Sequence, residues 1–292
     1  MHRYINCIAH NSSEGNLLTG KERSALFDCG MAFCAKDTIQ KVKNALGNRP
    51  LDYIFITHTH YDHTGALPYF REEWPQLRLA AAESGAAVLL KDTPRKLFRK
   101  LSSSAALVYN VKFDIDYDDD AFHADIIIKD KDIIPLGGLS VEALETPGHT
   151  RDSVSYFIPE LELLFMNETP GSLMPDGNAY PCYLTSYTET INSINKCRRI
   201  KYKHLSLPHR GVVGREEADV FFDKVMAANI ACYNFISDMK EKNLREDEML
   251  DLYFQKYGSD VILSYQPKEA FILNARATIA CTLRELVDKQ AC

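Results

Sequence analysis

Apolar spacing at the start of the chain predicts short strands: Tyr4 to Ala9, N-L-L-T-G from Asn16, and S-A-L-F-D-C-G from Ser24. Turn residues separate them, so an antiparallel opening is expected. The period then lengthens. Ile39, Val42 and Leu46 fall at helical spacing within the segment that starts at Thr38, and Gly47 followed by N-R-P ends it. Tyr53 to Thr57, Y-I-F-I-T, is an unbroken β-favouring run of the kind expected in a strand covered on both faces. A strand, helix, strand unit is therefore in place by residue 57.

Further along, Leu67 to Trp74 reads as a helix, L-R-L-A-A-A-E from Leu77 as a strand, and Gly85 to Leu90 as the start of another helix. Residues 91–123 are less regular, with basic residues around Lys96 to Lys100, S-S-S at 102–104 and D-D-D at 118–120. They read as a helical or irregular insertion. The acidic triplet reads as a solvated loop, because three neighbouring Asp side chains cannot converge on one side of an extended chain. Strand pieces return at Asp125 to Ile128, Leu139 to Glu145, Ser153 to Ile158 and Leu161 to Phe165, the last two expected to form a hairpin. A helix over 185–200 and a strand from His204 to Leu207 follow. After Arg215 come three helical stretches, near 216–241, 245–256 and 267–287, whose apolar faces must be buried. The expected organisation is a β-rich body over 1–215 and a helical segment over 216–292.

Composition narrows the class. The 292 residues are 46% hydrophobic and 25% charged, as in an ordinary globular protein. A net charge of -6 provides no global attraction to nucleic acid or an anionic membrane, and no run approaches the ~18 apolar residues of a membrane span. The first residues lack a basic segment followed by an apolar stretch of signal-peptide length, so a soluble cytoplasmic protein is expected. Eight cysteines without C-x-x-C spacing are expected as free thiols.

The chemistry starts where the buried run ends. T-H-T-H-Y-D-H-T-G places His58, His60, Asp62 and His63 directly after it. Alternation sends side chains 58 and 60 to one side of an extended chain, so two imidazoles can clamp one metal. A turn at 61–62 can bring Asp62 and His63 to a second. Three further candidates follow strands in the same way: His149 in E-T-P-G-H-T, Glu168 in L-L-F-M-N-E-T and His209 in L-S-L-P-H-R-G. Their common position supports one site at a shared sheet edge.

On these residues, over about 1–215, the chain resembles the metallo-β-lactamase-fold hydrolase superfamily, the group that includes glyoxalase II-like thioesterases. The resemblance implies an α/β (α+β) fold, a four-layer αββα sandwich with a C-terminal helical extension. It implies two divalent metal ions, the first held by His58, His60 and His149, the second by Asp62, His63 and His209, with Glu168 bridging. Asp28, in L-F-D-C-G, is implied as a support for the histidines. The family's bridging position carries Asp after Gly; here it reads Asn167-Glu168. Zinc is the family's usual metal, and the donor set also suits Fe or Mn.

The expected function is hydrolysis of a small acyl ester or thioester, in which the paired metals lower the pKa of a bridging water to roughly 7. Asp62 is placed to orient the resulting hydroxide and accept its proton. Tyr183 or Tyr187 can add a hydrogen bond or simply pack; Arg210 can meet an anionic substrate group or form a surface ion pair. Cys182, with no histidine nearby in sequence, reads as an inert thiol. The helical tail either packs on the body or a subunit partner, which allows a homodimer, or roofs the metal cleft together with 91–123. The resemblance extends to quinolone-signal response proteins, in which C-terminal helices cap the site. Two other functions fit: a di-iron redox protein acting on oxygen or nitric oxide, prompted by Glu168, and a metal-containing regulatory protein acting through its tail. No basic groove or large inserted domain favours a nuclease.

Overall fold

The computed structural model describes residues 3–6, 15–174, 176–207 and 209–290. The expected continuation of the first strand to Ala9 lies outside the described residues. One six-stranded sheet runs β1 (Arg3–Asn6), β2 (Asn16–Thr19), β3 (Ser24–Phe27), β4 (Tyr53–Phe55), β5 (Arg78–Ala82) and β6 (Ile126–Ile128), in that order. The first three strands are antiparallel and the rest parallel. Helices supply the parallel crossovers: α1 (Ala35–Leu46), then α2 (Tyr61–Thr64) with α3 (Leu67–Glu73), then α4 (Glu83–Leu89) with α5 (Asp92–Val108). The second sheet begins with β7 (Ile133–Pro135), β8 (Ser140–Glu145), β9 (Val154–Ile158) and β10 (Leu163–Phe165). A two-residue-per-strand ribbon, β11 (Ser172–Leu173) and β12 (Ala179–Tyr180), and helix α6 (Tyr187–Arg198) intervene before β13 (His204–Leu207) and β14 (Gly211–Gly214) complete it.

Period-two alternation decides the layers. Along β2 to β5, Leu17, Leu26, Ile54, Leu79 and Ala81 face out beneath α1, α3 and α5. Their neighbours Leu18, Ala25, Phe27, Phe55 and Ala80 face in and meet Val141, Ala143, Tyr156 and Phe165 of the second sheet. Phe27 is central there, its ring 4.1 Å from that of Phe165, 5.4 Å from that of Tyr156 and 5.5 Å from that of Phe55. Such ring pairs contribute about 0.5–1.5 kcal/mol each beyond area burial. The outer face of the second sheet, including Leu144, Leu164 and Leu205, is covered by Ile194 of α6 and by Phe221, Phe222 and Val225 of α7 (Arg215–Glu241). This is the αββα order.

The C-terminal helices continue with α8 (Glu246–Tyr257), α9 (Asp260–Tyr265) and α10 (Lys268–Gln290). Cys232, Ile236, Tyr253, Phe271 and Ile279 make a separate apolar cluster among them. Three tail helices are expected from periodicity and four are found; the extra one, α9, starts at Ser259, whose side chain accepts from the amide of Ile262. Residues 91–123 contain a 17-residue helix, α5, and a short turn over Asp119–Ala121 capped by the Asp118 side chain. The hairpin of β9 and β10 forms, but β10 starts only at Leu163 because Pro159–Leu161 closes a turn. The six described cysteines are free. Among the described residues no helix is long and apolar enough to cross a membrane.

Candidate metal centre

Strand direction brings the site together. β8 and β10 are each antiparallel to β9, and β10 is parallel to β13, so β8, β10 and β13 end at the same edge. The loops after them carry His149, Glu168 and His209. The loop after β4 arrives beside them, held where the amide of Val154 donates to the Thr57 carbonyl (2.8 Å) and the Tyr156 hydroxyl to the Ile56 carbonyl (2.6 Å). Left-handed backbone at His209, φ 57°, turns its ring toward the other ligands. Gly148 has φ 139°, and a Cβ there would come within 2.1 Å of Thr190 Oγ1, so only glycine fits before His149.

Seven side chains form two groups of mutually close donor atoms: His58, His60, His149 and Glu168, and Asp62, His63, Glu168 and His209. In the first, His60 Nδ1 lies 3.1 Å from His58 Nε2 and 3.1 Å from His149 Nε2. Nitrogens at about 2.0–2.1 Å from one tetrahedral ion stand at nearly this separation from each other. Glu168 turns one oxygen to each group: Oε2 is 3.1 Å from His149 Nε2, and Oε1 is 2.5 Å from His209 Nε2. The longer side chain at this position thus still reaches both groups.

The outer nitrogens are fixed by hydrogen bonds. His149 Nδ1 donates to the Cys182 carbonyl at 2.6 Å, which leaves Nε2 as the lone pair facing the cluster. Asp28 sets two more rings. Its Oδ2 lies 2.8 Å from His63 Nδ1 and accepts from Thr57 Oγ1 at 2.8 Å, while that hydroxyl lies 3.1 Å from His58 Nδ1. A donor chain from His58 through Thr57 to Asp28 leaves His58 Nε2 with its lone pair facing inward, where His63 Nε2 also points. Asp28 Oδ1 also takes the Thr57 amide at 2.7 Å, and Asp152 takes the Thr59 amide at 2.8 Å, pinning the backbone between ligands.

Electrostatics follow from burial. Desolvation, reinforced by repulsion from His149, lowers His60 to about 3, and desolvation with repulsion from His63 takes His58 well below its usual range. Both rings are therefore neutral donors at physiological pH. Burial opposes a charge on His63, but Asp28 and Asp62 outweigh it and raise its pKa well above the usual range. Burial likewise opposes the Glu168 carboxylate, yet the imidazoles of His149, His209 and His63 around it hold its pKa well below normal. The carboxylates thus pull positive charge into the space between them. His63 Nε2 is buried without a hydrogen-bond partner among the described residues and faces Asp62 Oδ2 and Glu168 Oε1, each at 3.6 Å. A proton on this nitrogen or a bound cation satisfies the two carboxylate oxygens, and the donor set fits a dinuclear divalent centre.

Positions 16–209 match the family model of the metallo-beta-lactamase superfamily. The chain belongs to this superfamily. It is 28% identical over 131 residues to a probable hydroxyacylglutathione hydrolase of Schizosaccharomyces pombe, across 44% of this chain and 37% of that protein. With glyoxylase B2 of Dictyostelium discoideum it shares 30% over 131 residues, across 45% of this chain and 39% of the relative. These matches therefore span about two fifths of the relatives' own length. Solved superfamily structures share the fold: a family protein from Thermus thermophilus has TM-score 0.59 at 16% identity, covering 100% of this chain and 94% of that one. Another, an archaeal superfamily protein from Sulfolobus tokodaii, has TM-score 0.58 at 20% identity, covering 76% and 84%.

The remaining candidates separate. Arg210 lines a cavity of about 460 Å³ that opens onto the cluster, and its Nε donates to the Leu173 carbonyl at 2.8 Å. Tyr183 is fully buried with its hydroxyl 3.0 Å from Thr282 Oγ1, and Tyr187 stacks on Tyr233 at 4.2 Å. Neither tyrosine is among the described residues lining the cavity; both pack the tail against the body. Cys182 does line it, and burial chiefly pushes its thiol pKa well above the usual range, away from nucleophilic use. Thr57 and Asp152 are the support residues that sequence reasoning misses. The only available signal was their place beside the motif or just past a candidate ligand.

Proposed function

We propose that this superfamily member is a dinuclear metal-dependent hydrolase of small acyl esters or thioesters. The observation that carries the reading is the pair of ligand groups sharing Glu168 at the floor of a cavity of about 460 Å³. His58, His60, His149 and Glu168 would hold one ion, and Asp62, His63, His209 and Glu168 the other. When bound, two such ions polarise a carbonyl oxygen and acidify water, so no protein nucleophile is required.

The chain's own residues do the rest. Asp62 lines the cavity as well as belonging to the second group, which supports a role for its carboxylate in orienting an attacking water and taking up its proton. Asp28 and Thr57 hold the rings of His58 and His63 in the tautomers that present lone pairs. Apolar cavity walls exclude bulk water from the reacting carbonyl and strengthen each electrostatic contact there. Relatives named hydroxyacylglutathione hydrolase, and an atrochrysone carboxyl ACP thioesterase of Aspergillus fumigatus at 26% identity over 151 residues, support thioester chemistry.

The test is hydrolysis of an ester and thioester panel by the purified protein before and after chelation. Activity that disappears with the chelator and returns with Zn, Fe or Mn is expected. A rate indifferent to chelation, or no turnover of any ester or thioester by metal-loaded protein, would overturn the reading. Iron accompanied by oxygen-dependent visible absorption would move it to redox chemistry.

A further inference from the structure

The cavity has two unlike sides. Toward the floor stand His60, Asp62, Glu168 and His209; away from it the walls are mainly apolar, with Gln266 and Asn274 as polar members, and come largely from helices outside the ligand loops. Leu101 of α5 and Ile262 of α9 are buried in its inner wall, at 6% and 3% exposure. Leu97, one helical turn before Leu101, and Leu273 of α10 stand at its mouth, at 38% and 41% exposure. Apolar side chains therefore stand both in the buried wall and at the rim, and the outer ones keep wet surface that an apolar ligand would cover.

The two helical walls meet each other without a ligand. The Tyr109 hydroxyl at the end of α5 donates to the Tyr265 carbonyl at 2.8 Å, and Lys100 of α5 pairs with Glu269 of α10. Charge inside is sparse: among the described lining residues Arg210 is the one lysine or arginine, and it follows His209 at the ligand end. A group with several negative charges meets no second lysine or arginine there, and Leu97, Leu101 and Leu273 themselves offer a substituent hydroxyl no hydrogen bond.

We propose that the cavity takes an unsubstituted apolar acyl chain of about six to ten carbons, a size suited to a pocket of this volume. Its carbonyl lies at the ligand floor and its tail between α5 and α10. Leu97, Leu101 and Leu273 set this preference. The placement of the carbonyl rests on the hydrolase reading; the apolar chain site rests on the walls alone.

Two measurements test it. Thioesters of N-acetylcysteamine with acetyl, hexanoyl and decanoyl groups are compared by kcat/KM, and saturation-transfer NMR follows decanoate and acetate on the metal-loaded protein. Each buried methylene is worth about fourfold, so a hexanoyl to acetyl preference on the order of 100-fold is expected. Decanoate should show saturation transfer where acetate shows none. Leu273→Asp should lower the hexanoyl to acetyl ratio at least tenfold and abolish the decanoate signal, with Leu273→Met retaining both. Flat or falling rates with chain length, together with no decanoate binding, would overturn the acyl site while leaving the hydrolase reading intact. Decanoate binding that Leu273→Asp removes, in a protein that cleaves no thioester, would uphold the site and sink the hydrolase reading instead.

Discussion

The two sides of the cavity are built by different physics. The floor is a set of buried polar side chains, three of its five rings set by hydrogen bonds from outside the cluster: His149 by the Cys182 carbonyl, His63 by Asp28, and His58 through Thr57. The roof is a set of helices held by apolar packing around Phe271 and Tyr253, with the Lys100–Glu269 pair and the Tyr109–Tyr265 bond across the mouth. A polar floor fails when one partner is lost, because the others are left desolvated and unpaired. An apolar roof degrades with the volume removed. Chemistry and selectivity can therefore be perturbed separately.

The largest expected effect is on the floor. His60→Ala should lower thioester kcat/KM at least ~10³-fold, as loss of a directly coordinating group removes transition-state stabilisation. Kinetics on the folded variant check this, and a rate within tenfold of wild type would break the contrast. On the roof, Phe271→Ala, at a fully buried position, should destabilise the protein by about 3–5 kcal/mol. Metal bound per folded chain should stay at the wild-type level, as denaturant titration and elemental analysis would report. Loss of metal from the folded variant would mean that floor and roof are one unit.

Smaller effects sharpen the distinction. Asp28→Asn should weaken metal affinity about 10–100-fold, because the amide cannot accept from both His63 and Thr57 in the same way. Competition with a chromophoric chelator measures it, and wild-type affinity would remove Asp28 from the network. Lys100→Ala should change stability by only about 0–1 kcal/mol, since Lys100 is 61% and Glu269 41% exposed. A drop of several kcal/mol in its denaturant curve would make that pair a structural tie instead of a surface contact.

The same contrast explains what was legible in the sequence. The floor could be read because its residues follow strands: His58 and His60 share a side by alternation, and His149, Glu168 and His209 each come just after a β run. The αββα layering came through the family resemblance alone, and the structure shows its physical basis: Leu17/Leu18 and Leu26/Phe27 divide between outer and inner faces. Thr57 was not, because a threonine beside a histidine carries no sign of the carboxylate it will meet from residue 28. α9 is six residues, too short for a helical period to register, and D-V-I-L-S-Y reads equally well as a strand. In α5, S-S-S lowers local helix propensity, and the helix is secured instead by burial of Phe98, Leu101 and Ala105. A roof made by the tail and 91–123 was one of two readings open in the sequence, and both segments do line the cavity; which residues of α5 and α10 face each other there has no local signature.

Elemental analysis of the folded protein, after dialysis without chelator, tests the central claim most directly. About two transition-metal ions per chain are expected, falling below one in His60→Ala. A protein that holds no metal, and still takes up none after incubation with Zn, Fe or Mn, would contradict it.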